Sequence, residues 1–189
     1  MPYVERKVMP ADVSILEVAG GLKLNGSKET EYLTVVMCLR LLWDNIYDYW
    51  AKAASDQGLT VTEEQVLWVI WLFDSSTVSE VARRLHRDKG TISKCIYSLE
   101  ENGLVVRKAG IDRRSYTFEL TEEGNRIRKS LGSAHRTHSV FREAFAKLTT
   151  EEQETLLRLL MKLSADIEGE AYLSRLVKAL KMIGEALQE

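Results

Sequence analysis

Proline and cysteine are nearly missing from these 189 residues. Both prolines, Pro2 and Pro10, fall in the first ten positions, so no later helix is interrupted by a residue lacking its backbone donor. The two cysteines, Cys38 and Cys95, lie far apart without metal-ligand spacing. That argues against a disulfide scaffold, a zinc ribbon or a redox pair, and suits a reducing compartment. Long apolar runs are lacking as well: the longest, Val66 to Phe73, is eight residues, against the roughly 20 that a membrane-spanning helix needs. Glu5, Arg6 and Lys7 are followed by no secretory apolar stretch. The expectation is a soluble cytoplasmic protein with no membrane partner. What the chain does have, 45% apolar and 29% charged residues, suffices for one sizeable core and excludes disorder.

Catalytic patterns are equally scarce. There is no nucleophile elbow, no phosphate-cradling glycine loop and no metalloprotease motif, and the three histidines sit beside no obvious nucleophile. His135 and His138 are three apart on a helical stretch, but no third ligand of recognisable spacing accompanies them, so they read as a polar helix face. No enzyme, no metal and no cofactor is expected.

Nor is there an excess of positive charge, the net being −2. The average conceals a polarised chain: residues 77–116 carry nine Lys and Arg against five Asp and Glu, a net of +4, whereas residues 1–76 and 150–189 are acidic. A basic centre between acidic flanks is the first sign of a polyanionic partner.

Periodicity then orders the chain. Residues 1–27 read as an N-terminal extension, with a flexible Gly-rich connection before Ser27, a plausible N-cap. A helix running to about Asp56 carries Leu39, Trp43, Ile46, Tyr47 and Trp50 on one stripe. Thr62 with Gln65 predicts a capping box for an apolar helix, Thr77 with Glu80 a second for Val78 to about His86, and Asp88 caps a third that ends at Asn102-Gly103. The period then changes to two, over Leu104–Lys108 and Tyr116–Leu120, which predicts one β-hairpin. Thr121 caps a helix running toward Lys147, and Thr150 with Gln153 opens another. A final helix places Leu173, Leu176, Leu180, Ile183 and Leu187 on a seam that needs a partner surface.

Two short helices, a tight turn, a third helix and a basic hairpin make a winged helix-turn-helix within an otherwise mainly helical chain. The helix beginning after Asp88 fits a DNA major groove. Ile92, Ile96 and Leu99 must face the core, leaving Lys89, Thr91, Ser93, Lys94 and Tyr97 to solvent, while Gly90 permits close backbone approach. On the wing, Arg107 and Lys108 lead to a turn exposing Arg113 and Arg114, whose guanidinium groups suit a narrow minor groove or a phosphate, with Asp112 bracing an arginine or the turn. Arg83, Arg84 and Arg87 can add phosphate contacts.

The run from Thr77-Val-Ser-Glu-Val-Ala-Arg-Arg-Leu, through Thr91-Ile-Ser-Lys and Leu99-Glu-Glu-Asn-Gly-Leu-Val, to Asp112-Arg-Arg-Ser and Leu120-Thr-Glu-Glu-Gly resembles the MarR transcriptional regulators over roughly residues 60–165. The long lead and helical tail look more like the Hpr branch. The resemblance implies a homodimer built from helices at both chain ends, which binds a pseudo-palindromic operator in double-stranded DNA and often responds to a small ligand or oxidant; the expected action is repression by occluding a promoter. The expected organisation is therefore an extension (1–27), an N-terminal dimerisation helix (28–60), a DNA-binding domain (61–121) and a C-terminal dimerisation region (122–189) with the Leu173–Leu187 seam. Cys38, among Val36, Met37 and Leu39, reads as a buried inert thiol rather than an oxidant sensor, and Cys95 as packing. Trp43, Tyr47, Trp50, Trp68 and Trp71 read as core and dimer interface, with an aromatic effector pocket as the alternative. The competing function is a protein-binding adaptor, which would have no need of Lys89, Lys94, Arg113 and Arg114 together on one side.

Overall fold

The structure, a computed structural model, describes residues 28–74, 76–109, 116–137 and 140–185, the side chains of 136–137 and 182–185 excepted. The chain divides into two units, residues 1–44 and 45–189, with the division inside the first described helix, α1 (Lys28–Asp56). In the first unit, Glu29 and Glu31 occupy the opening turn, where the helix dipole favours anions, and Arg40 pairs with Asp44 at 3.1 Å one turn on. Tyr32, Leu33, Met37 and Leu41 are exposed there. Cys38 is exposed with them, which corrects the expected burial: its apolar neighbours Val36 and Leu39 are themselves uncovered. Ser27 and the N-terminal extension lie outside the described residues.

The second unit holds the core. Thr60 accepts from the Glu63 N–H, and the Glu63 carboxylate accepts from the Thr60 N–H, opening α2 (Val61–Leu72) two residues before the expected Thr62. Thr77 and Glu80 form the expected box at α3 (Val78–Arg84). Asp88 caps α4 (Lys89–Glu101), and Gly103, at φ +69, follows its end. Strands β1 (Val105–Ala109) and β2 (Tyr116–Leu120) pair antiparallel, from Val105 opposite Leu120 to Ala109 opposite Tyr116. An isolated bridge joins Ser76 to Phe118, a third short edge that alternation alone could not reveal. Ile70, Val81, Ile92, Leu99 and Phe118 close one core over α2, α3, α4 and the hairpin, with Ala54 of α1 and Leu131 of α5 (Glu122–Thr137) in the same cluster.

Thr121 opens α5 as expected, its hydroxyl accepting from the Gly124 N–H at 3.0 Å. Toward Lys147 follows α6 (Val140–Phe145), with 138–139 between α5 and α6 outside the described residues. Thr149 and Glu152, not Thr150 and Gln153, cap α7 (Thr150–Glu168), and Gln153 instead donates to the carbonyls of Phe145 and Leu148. Gly169, at φ +86, then turns the chain into α8 (Glu170–Glu185).

That turn bears on the expected dimer seam. α8 folds back on α7 and reaches α2 of the same chain, so Leu173 and Leu176 are half-buried within the protomer while Leu180 stays exposed. The Ile183 side chain and Leu187 lie outside the described residues. The uncovered apolar stripe is on α7 instead, where Leu157, Leu160, Leu163 and Ile167 are exposed, Ile167 by 77%. No described helix is long and apolar enough to cross a membrane.

Candidate nucleic-acid interface

α4 presents its outer face as the 3.6-residue period requires. Ile92, Ile96 and Leu99 are buried, whereas Lys89, Gly90, Thr91, Ser93, Lys94 and Tyr97 are exposed. Cys95 packs half-buried at the core edge, and burial pushes its thiol up. The Asp88 carboxylate fixes the first turn, accepting from the Thr91 hydroxyl at 2.6 Å and the Thr91 N–H at 2.8 Å. Those two bonds hold the Asp88 carboxyl below its ordinary range. Gly90 has a local reason as well, because a Cβ there would stand 3.2 Å from Asp88 Oδ1. Tyr97 is 59% exposed, and a hydrogen bond to Glu101 pushes its phenol up.

The hairpin stands against this helix through a residue that periodicity did not single out. Glu100, on α4, accepts from Arg107 of β1 at 3.0 Å, and that guanidinium lies 5.1 Å over the Tyr116 ring and 5.7 Å over Phe118. Lys108 reaches Glu119 of β2 at 3.9 Å. Both pairs are substantially solvent-exposed, so each contributes only about 0–1 kcal/mol and exchanges readily for a phosphate. Asp112, Arg113 and Arg114, the expected wing tip, lie outside the described residues. Between α3, α4 and the hairpin opens a cleft of about 450 Å³. Its rim includes Ser79, Ser93, Tyr97, Arg107 and Tyr116, and its floor Ile96 and Phe118.

The three arginines of the preceding helix separate. Arg83 and Arg87 are exposed and available to a ligand. Arg84 is not: its guanidinium lies 3.6 Å over the Phe73 ring and donates to the buried Ser76 hydroxyl at 3.1 Å. Burial lowers its pKa, with Arg83 and Arg175 adding to the effect against Glu80. It braces the turn, so its guanidinium does not stand free for the expected phosphate contact.

A second polar cluster is internal. Glu64, 1% exposed, bonds His135 of α5, whose ring packs 5.2 Å from Trp50 and 6.1 Å from Tyr49. Tyr49 donates to the Ala134 carbonyl, and Arg128, buried, lies 4.0 Å over Trp71. His135 is therefore an interior partner, not the expected polar face. The signal was present in the sequence: Glu64 falls on the stripe of Val61, Trp68 and Trp71. Trp68 and Trp71 meet edge to face at 5.5 Å.

A family described as a winged helix DNA-binding domain matches residues 59–124, the stretch from the α2 cap to the first turn of α5. Residues 59–124 are thus similar to a winged helix DNA-binding domain. The HTH-type transcriptional regulator Hpr of Geobacillus thermodenitrificans is 29% identical to it over 89 residues, 47% of this chain and 44% of that protein. The DNA-binding transcriptional repressor ScoC of Bacillus subtilis is 29% identical over 93 residues, 49% of this chain and 46% of that protein. The chain thus spans less than half the length of these relatives. Among solved structures, a MarR mutant from E. coli complexed with operator DNA superposes with a TM-score of 0.59 at 22% identity, covering 73% of this chain and 99% of that one. Around the winged helix domain, then, the fold is that of the MarR regulators.

Proposed function

We propose that this chain is a MarR-type, non-enzymatic transcriptional regulator that binds double-stranded DNA as a homodimer at a pseudo-palindromic operator and represses by occlusion. The observation that carries the reading is the outer face of α4, where Lys89, Thr91, Ser93, Lys94 and Tyr97 are exposed together and Arg107 of the hairpin lines the same cleft as Ser93 and Tyr97, with Lys108 exposed on the next position of β1. Exposed cations supply phosphate contacts, and the hydroxyls and Lys94 supply base-edge readers. Arg83, Arg87 and the wing-tip Arg113 and Arg114 extend the same basic surface in our reading, with Asp112 bracing the turn. The regulator names of the Hpr and ScoC relatives support it.

Each unit brings an uncovered apolar face to the dimer: residues 28–44 of α1, and the Leu157–Ile167 stripe of α7. Two recognition helices set about 34–36 Å apart would then read successive major grooves. The domain boundaries we favour follow this division of labour, with dimerisation at 28–60 and 122–189 and DNA binding at 61–121. Mobility-shift titrations at two salt concentrations test the reading. Lys89→Ala/Lys94→Ala and Arg113→Ala/Arg114→Ala should each weaken retardation and lower the slope of log K against log salt by about 1 or more. Retardation equal to wild type in both variants contradicts it.

A further inference from the structure

The turn between α3 and α4 is touched from beyond residues 59–124. His86, between α3 and α4, has φ +49, a left-handed backbone that disfavours any residue bearing a Cβ and suits glycine. A histidine kept in such a place directs attention to its ring, whose Nε2 lies 3.1 Å from Glu168 Oε1. Glu168 is the last residue of α7, immediately before the Gly169 turn. Beyond that turn, the Tyr172 ring packs 5.7 Å from Phe73, and the Arg175 guanidinium lies 5.3 Å over the same ring. Arg84 covers Phe73 as well and bonds Ser76. Ser76 pairs in turn with Phe118 of β2, through N–H to carbonyl bonds of 3.0 and 3.4 Å. The α7–α8 elbow therefore touches the residues on both sides of α3, and through Ser76 its contacts continue to the hairpin. Burial pushes the Tyr172 phenol up, Glu168 adding and Arg84 opposing, which places these groups within electrostatic reach of one another.

Resting on the DNA-binding reading above, we propose that the elbow from Glu168 to Arg175 is a positioning clamp: it holds His86, Phe73 and Arg84 so that α4 and the hairpin meet DNA at the required angle. Glu168, Tyr172 and Arg175 lie beyond residues 59–124 and are positioning residues, not DNA contacts. A recognition helix reads base edges only within a narrow range of tilt, whereas phosphate attraction tolerates a wider one, so a loosened clamp costs selectivity before it costs non-specific binding.

The test uses the full chain and two labelled duplexes of about 30 base pairs, long enough for half-sites one turn apart. One is enriched from a random pool by the wild-type protein, and the other is unrelated. Glu168→Gln, Tyr172→Leu and His86→Gly should each weaken binding to the enriched duplex about fivefold or more. Binding to the unrelated duplex and the salt slope should stay at wild-type values, because no phosphate contact is removed. Tyr172→Phe, which keeps the ring, should match wild type. His86→Gly separates the clamp from simple loss of folding: glycine relaxes the backbone, so its thermal midpoint should hold or rise while selective binding falls. Wild-type affinity for the enriched duplex in Glu168→Gln, Tyr172→Leu and His86→Gly overturns the clamp. So does a loss that merely tracks thermal midpoint, or a lowered salt slope. Failure of the wild type to enrich any duplex overturns the DNA-binding reading itself, and the clamp with it.

Discussion

Gly124 is the position where a single atom decides most. It opens α5 beside β1, and a Cβ there would stand 2.0 Å from the Leu104 carbonyl oxygen, which already accepts from the Thr121 N–H at 3.1 Å. Neither backbone can yield without breaking that bond, so Gly124→Ala should destabilise by about 2–4 kcal/mol, measured by denaturant unfolding; a loss under about 0.5 kcal/mol would show that the contact is relaxed in solution. Glu64 and His135 make the second case. Removing the imidazole leaves a buried carboxylate without its hydrogen bond, so His135→Leu should cost about 1–3 kcal/mol. Glu64→Leu/His135→Leu together should cost less than the two single changes added, and strict additivity in that cycle would contradict the pairing. Arg84 carries the same lesson in reverse, since a cation that spacing assigns to a phosphate is spent on Phe73 and Ser76.

The helices begin where carboxylates and hydroxyls share backbone donors. Glu80 and Glu152 accept chiefly from the Thr77 and Thr149 N–H groups, and Asp88 chiefly from the Thr91 hydroxyl, and all three carboxyls are held below their ordinary values. A depressed native pKa adds stability that is complete above the unfolded values of 4.5 and 3.8 and is lost as pH falls through the lower native ones. Thermal midpoints should therefore fall steadily below about pH 4.5, and Glu80→Gln should flatten part of that fall. An unchanged acid profile in Glu80→Gln would remove this box from the account. The caps also show what was legible beforehand. Thr77 with Glu80, Asp88, Thr121 and the Tyr116–Leu120 alternation are legible in the sequence because each signal is local. The caps at Thr60 rather than Thr62 and Thr149 rather than Thr150 are not legible, because each stretch offers two threonines within a turn and only the fold selects between them. The Ser76 bridge and the His86–Glu168 contact join residues 42 and 82 positions apart, so no local pattern carries them.

At the scale of the whole molecule, Gly169 folds α8 back on its own chain, so Leu173 and Leu176 are half-buried within it while Leu180 stays exposed. Which surface covers a seam depends on the direction the chain takes after a turn, and periodicity holds no such information. The proposed dimer should depend on α7: Leu160→Glu/Ile167→Glu should yield monomers by sedimentation, and an intact dimer would shift the interface elsewhere. Most direct for the central claim is footprinting of a duplex enriched from a random pool, combined with the mass of the complex. Two protected half-sites one helical turn apart, two chains per duplex, and affinity that collapses with added salt are the predicted result. An unprotected duplex, or a single chain bound without regard to sequence, would contradict it.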